Sequence, residues 1–78
     1  MKDDVKPINL KVAEHLKKLR NHERLSMREL GVIIGTSHSF VGKIEKQGRR
    51  IDVGEFICYC RALEKDPEEV LKDIMEML

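Results

Sequence analysis

The sequence lacks tryptophan and has only three aromatic side chains, Phe40, Phe56 and Tyr59. Its core must therefore be largely aliphatic, which suits packed short helices. No apolar run approaches the ~18 residues that a membrane-spanning helix requires. The charged first residues also lack the apolar core of a signal peptide. We therefore expect a cytoplasmic protein that does not interact with a membrane.

Cysteine is almost as scarce, and Cys58 and Cys60 are too close in sequence to cross-link much of the chain. On a helix, residues two positions apart point to different sides. A metal site would need further ligands near this pair, and no other Cys or His lies close in sequence. We expect two reduced thiols, no metal ion and no cofactor.

The net charge of +1 is small for a protein that binds a polyanion, but the charges are unevenly distributed. Residues 1–50 carry 12 Lys and Arg against 6 Asp and Glu, a balance of +6. Residues 51–78 carry 3 against 8, a balance of −5. The first segment is therefore suited to contact a polyanion such as DNA, with the second lying away from it.

Capping residues and apolar spacing predict five short helices and no strand, which is an all-α fold. Asn9 is the predicted N-cap of helix 1, which runs from Leu10 to about Glu23 and would leave residues 1–8 as a flexible tail. Residues 9–78 would form a single domain. The other predicted helices are Met27 to Ile34, His38 to Lys46, Val53 to about Leu63 with Val53 on its inner face, and Pro67 to the C-terminus.

Helices 2 and 3 are separated by only about three residues around Gly35, which is the arrangement of a helix-turn-helix. Glycine accepts the left-handed conformation found just after a helix end, so Gly35 is suited to close helix 2. The same ordered pattern resembles the lambda-repressor-like, Cro/XRE-type helix-turn-helix family over roughly residues 12–71. The resemblance rests on Leu16, Leu19, Arg20, Leu25, Ser26, Glu29, Leu30, Gly35, Ser37, Val41, Ile44, Glu45 and Leu63.

The resemblance implies a compact five-helix domain whose third helix, residues 38–46, enters the major groove of double-stranded DNA. Base edges there display distinct donor and acceptor patterns. None of the helix 3 residues facing away from Val41 and Ile44 is a large apolar residue. By the resemblance, the base-reading residues are His38, Ser39, Gly42 and Lys43.

Phosphate contacts position such a protein without specifying the sequence. The residues expected to make them by the same resemblance are Ser37, Arg28, Lys46, Arg49 and Arg50. Arg20 and Glu45 match positions that form a partly buried ion pair in the family, so their expected role is structural. The family often has Gln at the position of Met27, and because Met cannot donate a hydrogen bond, that phosphate contact is in doubt.

Helix 5, within residues 66–78, is too apolar for an isolated surface helix. One stripe, formed by Val70, Ile74 and Met77, can close the core, and an adjacent stripe would remain exposed unless a second subunit covered it. A symmetric homodimer is the commonest solution and would suit a near-palindromic operator. The expected dimer interface consists of Leu71, Met75 and Leu78.

These features predict a sequence-specific transcriptional regulator, a repressor by first choice, and not an enzyme. His15 and His22 are expected to be solvated, and no nucleophile motif or phosphate-binding loop accompanies them. Three alternatives remain open: an antitoxin, a controller of restriction-modification genes, and a protein-interaction module that has lost DNA binding. A toxin or a polymerase is accordingly a further partner to consider.

Overall fold

The computed structural model describes residues 2–47 and 50–78, and within these ranges the chain is helical with no strand. This confirms the predicted all-α class. Four of the predicted helices begin at the observed residue, and their ends fall within two residues of the observed ones. The helices are α1 (Lys2–His22), α2 (Met27–Ile34), α3 (His38–Gln47), α4 (Val53–Ala62) and α5 (Pro67–Glu76).

The start of α1 was predicted wrongly, because the helix begins at Lys2 and includes the segment expected to be a tail. Asn9 is therefore not an N-cap but an interior residue of the helix. Pro7 is the sixth residue of α1, so its ring removes one of the first main-chain hydrogen bonds, the one to the carbonyl of residue 3. The rest of this 21-residue helix continues past that defect.

Local side-chain hydrogen bonds define where α2 and α4 begin. The Ser26 hydroxyl accepts from the Glu29 N–H at 3.0 Å, and the Glu29 carboxylate accepts from the Ser26 N–H at 2.9 Å. That main-chain hydrogen bond lowers the pKa of Glu29 below its usual value. Asp52 and Glu55 form the same reciprocal pair at α4. Both capping boxes satisfy main-chain N–H groups that the first turn leaves without helical partners.

The turn between α2 and α3 depends on two glycines. Gly35 has φ of 87°, and its N–H donates to the Gly31 carbonyl at 2.9 Å, so it closes α2 in the left-handed conformation as predicted. Gly31 lies against this turn, since a Cβ built there would be only 3.0 Å from the Thr36 carbonyl oxygen and 3.1 Å from the His38 nitrogen. The absence of a side chain at Gly31 therefore lets α2 approach the start of α3.

The core draws a side chain from every helix. Leu16 of α1, Leu30 of α2, Ile44 of α3, Tyr59 of α4 and Ile74 of α5 are each at most 1% exposed. Burial of this kind stabilises a domain by about 1.5–3 kcal/mol per large apolar side chain. The remaining buried members of the cluster are Val41, Cys60, Leu63 and Val70.

Two expectations about individual residues do not hold. Val53 is 75% exposed because it is the first residue of α4, so the inner face of that helix starts at Phe56 instead. His15 is half-buried, and its Nε2 has no hydrogen-bond partner within the described chain. His22 is exposed, as expected.

In the part of the chain that the structure describes, no helix is long and apolar enough to span a membrane.

Candidate nucleic-acid interface

Helix α3 presents two different faces. Val41 and Ile44 are buried against the other helices, at 0% and 1% exposure. The opposite face carries the predicted base-reading residues, together with one of the predicted phosphate-binding residues. On it His38, Ser39, Lys43 and Lys46 are exposed, and Gly42 is half-buried.

This outer face combines hydrogen-bonding groups with positive charge. Ser39 can donate or accept a hydrogen bond, Lys43 and Lys46 only donate, and the role of His38 depends on its protonation. The buried side of the helix fixes how these groups are presented, because α3 cannot rotate without moving Val41 and Ile44 out of the core. The arrangement is a rigid, solvent-facing set of donors on a helix of the width that the major groove admits.

The residues predicted to contact phosphates lie at several points of the fold. Ser37 is exposed immediately before α3, Arg28 is exposed in the first turn of α2, and Arg50 is exposed in the segment after α3. Arg49 lies outside the residues that the structure describes.

A buried network connects α3 to the rest of the domain. Nε and Nη2 of Arg20 donate to the two carboxylate oxygens of Glu45, each at 2.8 Å. Nη1 of Arg20 also donates to the main-chain carbonyl of Leu25 at 2.6 Å. The Arg20 and Glu45 side chains are 8% and 0% exposed. The structure therefore brings the predicted pair together in a bidentate geometry, which is the strong form of such a contact.

Tyr59 is a third member of this network, which the sequence did not indicate. Its hydroxyl donates to Oε2 of Glu45. Burial is the main cause that raises the pKa of Tyr59 above its usual range, and the hydrogen bond to Glu45 adds to it. The hydrogen bonds to Glu45 also raise the pKa of Arg20. The available signal was indirect: Tyr59 is the sole tyrosine, and a buried tyrosine hydroxyl usually has a hydrogen-bond partner.

Met27 also reaches the candidate interface. A Cβ built on Gly42 would lie 3.7 Å from Sδ of Met27, so the thioether covers the position where α3 has no side chain. Met27 is half-buried and packs against the core cluster. The sequence marked Met27 as unusual, but its proximity to Gly42 depends on how α2 and α3 pack.

An apolar surface lies on α5, the last helix. Leu71, Met75 and Leu78 are 49%, 63% and 61% exposed, whereas Val70 and Ile74 are buried. Met77, the third residue of the predicted inner stripe, is 46% exposed because it lies at the C-cap, where α5 ends. Leu71 also lines a shallow groove, whose other walls are formed by α1, by α4 and by the residues directly before α4. The other groove residues are Asn9, Val12, Ile51, Asp52, Val53, Phe56 and Ile74.

Comparison with known proteins identifies the family. A helix-turn-helix family model matches residues 16–70, which include α2, the turn and α3. The chain belongs to the Cro/XRE-type helix-turn-helix family. No curated protein matches the chain. Family membership indicates a DNA-binding transcriptional regulator rather than an enzyme.

Several solved structures resemble the chain in fold. An XRE-family like protein from Pseudomonas syringae pv. tomato strain DC3000 is 30% identical, with a TM-score of 0.89 over 97% of this chain and 93% of that one. The restriction-modification controller protein C.AhdI from Aeromonas hydrophila is 27% identical, with a TM-score of 0.73 over 80% of this chain and 94% of that one. The clp gene regulator ClgR from Corynebacterium glutamicum shares the fold at 17% identity, with a TM-score of 0.81 over 90% of this chain and 74% of that one.

Proposed function

We propose that this XRE-type regulator binds a near-palindromic operator as a homodimer and acts as a repressor, with residues 38–46 of α3 in the major groove. The observation that carries the proposal is the two-sided character of α3. Its inner side chains are fixed in the core, and its outer face offers exposed donors without a large apolar residue. A surface of this kind is suited to base edges and poorly suited to an apolar protein groove.

Lys43 is the residue with the clearest expected base contact. Its ammonium can donate to O6 or N7 of guanine, and a good base contact contributes about 1–3 kcal/mol of discrimination. Ser39 discriminates less because its hydroxyl both donates and accepts, and His38 can contact a base or a phosphate. Gly42, the fourth proposed base-reading residue, presents no side chain of its own to the bases, and the Met27 thioether lies beside it.

Contacts to the DNA backbone would hold α3 in register. Ser37, Arg28, Lys46, Arg49 and Arg50 are the proposed phosphate-binding residues, and all belong to the basic segment of the chain, residues 1–50. Such contacts release counterions, so operator affinity should fall steeply with salt concentration.

Dimerisation through α5 would cover Leu71, Met75 and Leu78, which are 49–63% exposed in the single chain. The acidic segment, residues 51–78, contains this surface, so the interface would lie away from the DNA phosphates. A two-fold dimer would place the two recognition helices about 34 Å apart, one turn of DNA.

The test is selection of duplexes from a random DNA library at about 0.15 M salt, with the wild type, Lys43→Ala and Lys18→Ala compared. Lys18 is an exposed lysine of α1 outside the proposed interface, so its variant controls for loss of one charge. We expect a near-palindrome with half-sites about 10 base pairs apart for the wild type and the control. The Lys43 variant should lose preference at one position of each half-site. Weak recovery without a consensus would overturn the proposal and favour a protein-interaction module.

Dimerisation has its own test. Leu71→Asp should shift the protein to a monomer in sedimentation velocity and reduce operator affinity, because a charge would occupy the proposed apolar interface. Val32→Asp is the matched control, since Val32 is 74% exposed on α2. If Leu71→Asp dimerised as strongly as Val32→Asp, the dimer interface would lie elsewhere on the molecule.

A controller of restriction-modification genes is a second candidate function, favoured by the similarity to C.AhdI over 94% of that chain. An operator upstream of a methyltransferase or restriction endonuclease gene would support it. An antitoxin of the same fold would instead copurify with a toxin encoded beside it.

A further inference from the structure

The candidate base-reading face of α3 has a gap at Gly42, between Ser39 one turn before and Lys46 one turn after. The structure fills this gap with a side chain from another helix. Sδ of Met27 lies 3.7 Å from the position that a Cβ of Gly42 would occupy. The outer face of α3 is therefore a composite surface to which α2 contributes.

The start of α2, from which the Met27 side chain extends, is fixed by local hydrogen bonds. Met27 is the first residue of α2, directly after the N-cap Ser26, whose capping box with Glu29 fixes the start of that helix. Its side chain packs against the core cluster but remains half-buried, so part of it faces solvent. One turn further along α2, Leu30 is fully buried, which anchors the helix.

The chemistry of this group restricts what it can recognise. A thioether has no hydrogen-bond donor and is only a weak acceptor, but it is polarisable and makes good apolar contacts. Among the groups that bases present in the major groove, the C5-methyl of thymine is the apolar one. A methionine in a gap among hydrogen-bonding residues is therefore suited to detect that methyl group.

We propose that Met27 is a specificity-determining residue, which together with Gly42 forms an apolar patch that contacts the C5-methyl of one thymine in each operator half-site. The inference rests on the proposed function, since it requires α3 to lie in the major groove. The contacted thymine lies between the base approached by Ser39 and the phosphate contacted by Lys46. Gly42 has a specific role here, because a side chain at this position would separate the thioether from the base.

The experiment uses the duplex selected by the wild type. Each thymine is replaced in turn by uracil, which removes only the C5-methyl, symmetrically in both half-sites, and the Kd of each duplex is measured. We expect one thymine position at which uracil weakens wild-type binding by 3- to 10-fold. In Met27→Ala this difference should disappear, whereas Met27→Leu, which keeps an apolar side chain, should retain most of it.

Two controls separate the possible causes. Ile33→Ala removes an apolar side chain that is 54% exposed elsewhere on α2, and it should leave the uracil effect unchanged. Circular dichroism shows whether each variant is folded at the binding temperature. If Met27→Ala is unfolded, the size of the uracil effect in Met27→Leu is the result that tests the inference. A specific operator without any uracil effect would overturn this inference alone, as would an effect that persists in a folded Met27→Ala or is lost in Met27→Leu. Failure to select any operator would overturn both this inference and the proposed function.

Discussion

The hydroxyl of Tyr59 donates to Oε2 of Glu45, the same carboxylate oxygen that accepts from Nε of Arg20. The three residues belong to α4, α3 and α1, so one buried carboxylate connects three helices. Because Glu45 lies on α3, this network helps to fix the orientation of the proposed recognition helix.

Arg20→Ala should be much more destabilising than Tyr59→Phe. Loss of Arg20 leaves the Glu45 carboxylate, whose side chain is 0% exposed, without its cation, and breaking a buried pair in this way costs about 3–5 kcal/mol. Loss of the Tyr59 hydroxyl keeps both hydrogen bonds from Arg20 to Glu45 and costs about 1–3 kcal/mol. Urea denaturation followed by circular dichroism gives both values. Arg61→Ala, at an exposed position of α4, is the control, and the reverse order would show that the ion pair contributes little.

Alkaline pH should unfold the protein as Tyr59 ionises. Its folded-state pKa is raised, so its contribution to stability is complete below the unfolded-state pKa of about 10 and decreases as the pH rises above it. Because the chain has one tyrosine and no tryptophan, phenolate absorbance near 295 nm reports this group directly. In the folded protein the ionisation should occur at a higher pH than in free tyrosine and coincide with loss of the helical signal. In denaturant it should occur near pH 10. Ionisation near pH 10 with the helices intact would contradict the buried hydrogen bond.

Gly31→Val should destabilise the domain by about 1–3 kcal/mol through overpacking of the turn. A Cβ at this position would lie 3.0–3.1 Å from three main-chain atoms of residues 36–38. Gly54→Val is the matched control, because a Cβ at that position in α4 would meet only the Asp52 side chain, at 3.5 Å. Thermal denaturation of both variants makes the comparison, and an equal shift in Tm would show that the turn can move aside.

Introducing glycine after one helix and removing it after another should change the stability of the domain in opposite directions. Arg24 and Glu64 follow α1 and α4 with φ of 58° each, a conformation that glycine adopts without steric penalty. Arg24→Gly and Glu64→Gly should each stabilise by about 0.5–1 kcal/mol. Gly35→Ala should destabilise by a similar amount, because φ there is 87° although a Cβ would meet no atom within 4 Å. Chemical denaturation of all three variants tests the signs, and a stabilised Gly35→Ala would contradict this explanation.

The two cysteines should differ strongly in reactivity toward a thiol reagent. Cys58 is exposed, whereas Cys60 is buried, and burial raises the pKa of the Cys60 thiol to about 11. At pH 8 we expect one thiol to react rapidly and the second to react at the rate of unfolding, because the thiolate is the nucleophile. Mass spectrometry after partial labelling assigns the sites. Rapid labelling of both in the folded protein would show that α4 opens readily.

The helical class, the order of the helices and the turn between α2 and α3 could all be predicted from the amino-acid sequence. These features follow from local chemistry that neighbouring residues supply. Ser26 with Glu29 specifies the start of α2, Asp66 with Pro67 the start of α5, and Gly35 the end of α2. The outer face of α3 was equally readable, because helical spacing alone separates Lys43 from Val41 and Ile44.

Features that depend on residues distant in the chain could not be predicted in this way. Asn9 and Pro7 are local signals for a helix start, yet α1 extends past both of them, and Asn9 lines a groove with Phe56 and Leu71. The addition of Tyr59 to the Arg20–Glu45 pair and the placement of Met27 over Gly42 also require packed helices. Capping and spacing act within one or two helical turns, whereas side chains from different helices meet only where the helices cross, and the geometry of each crossing is set by the whole core.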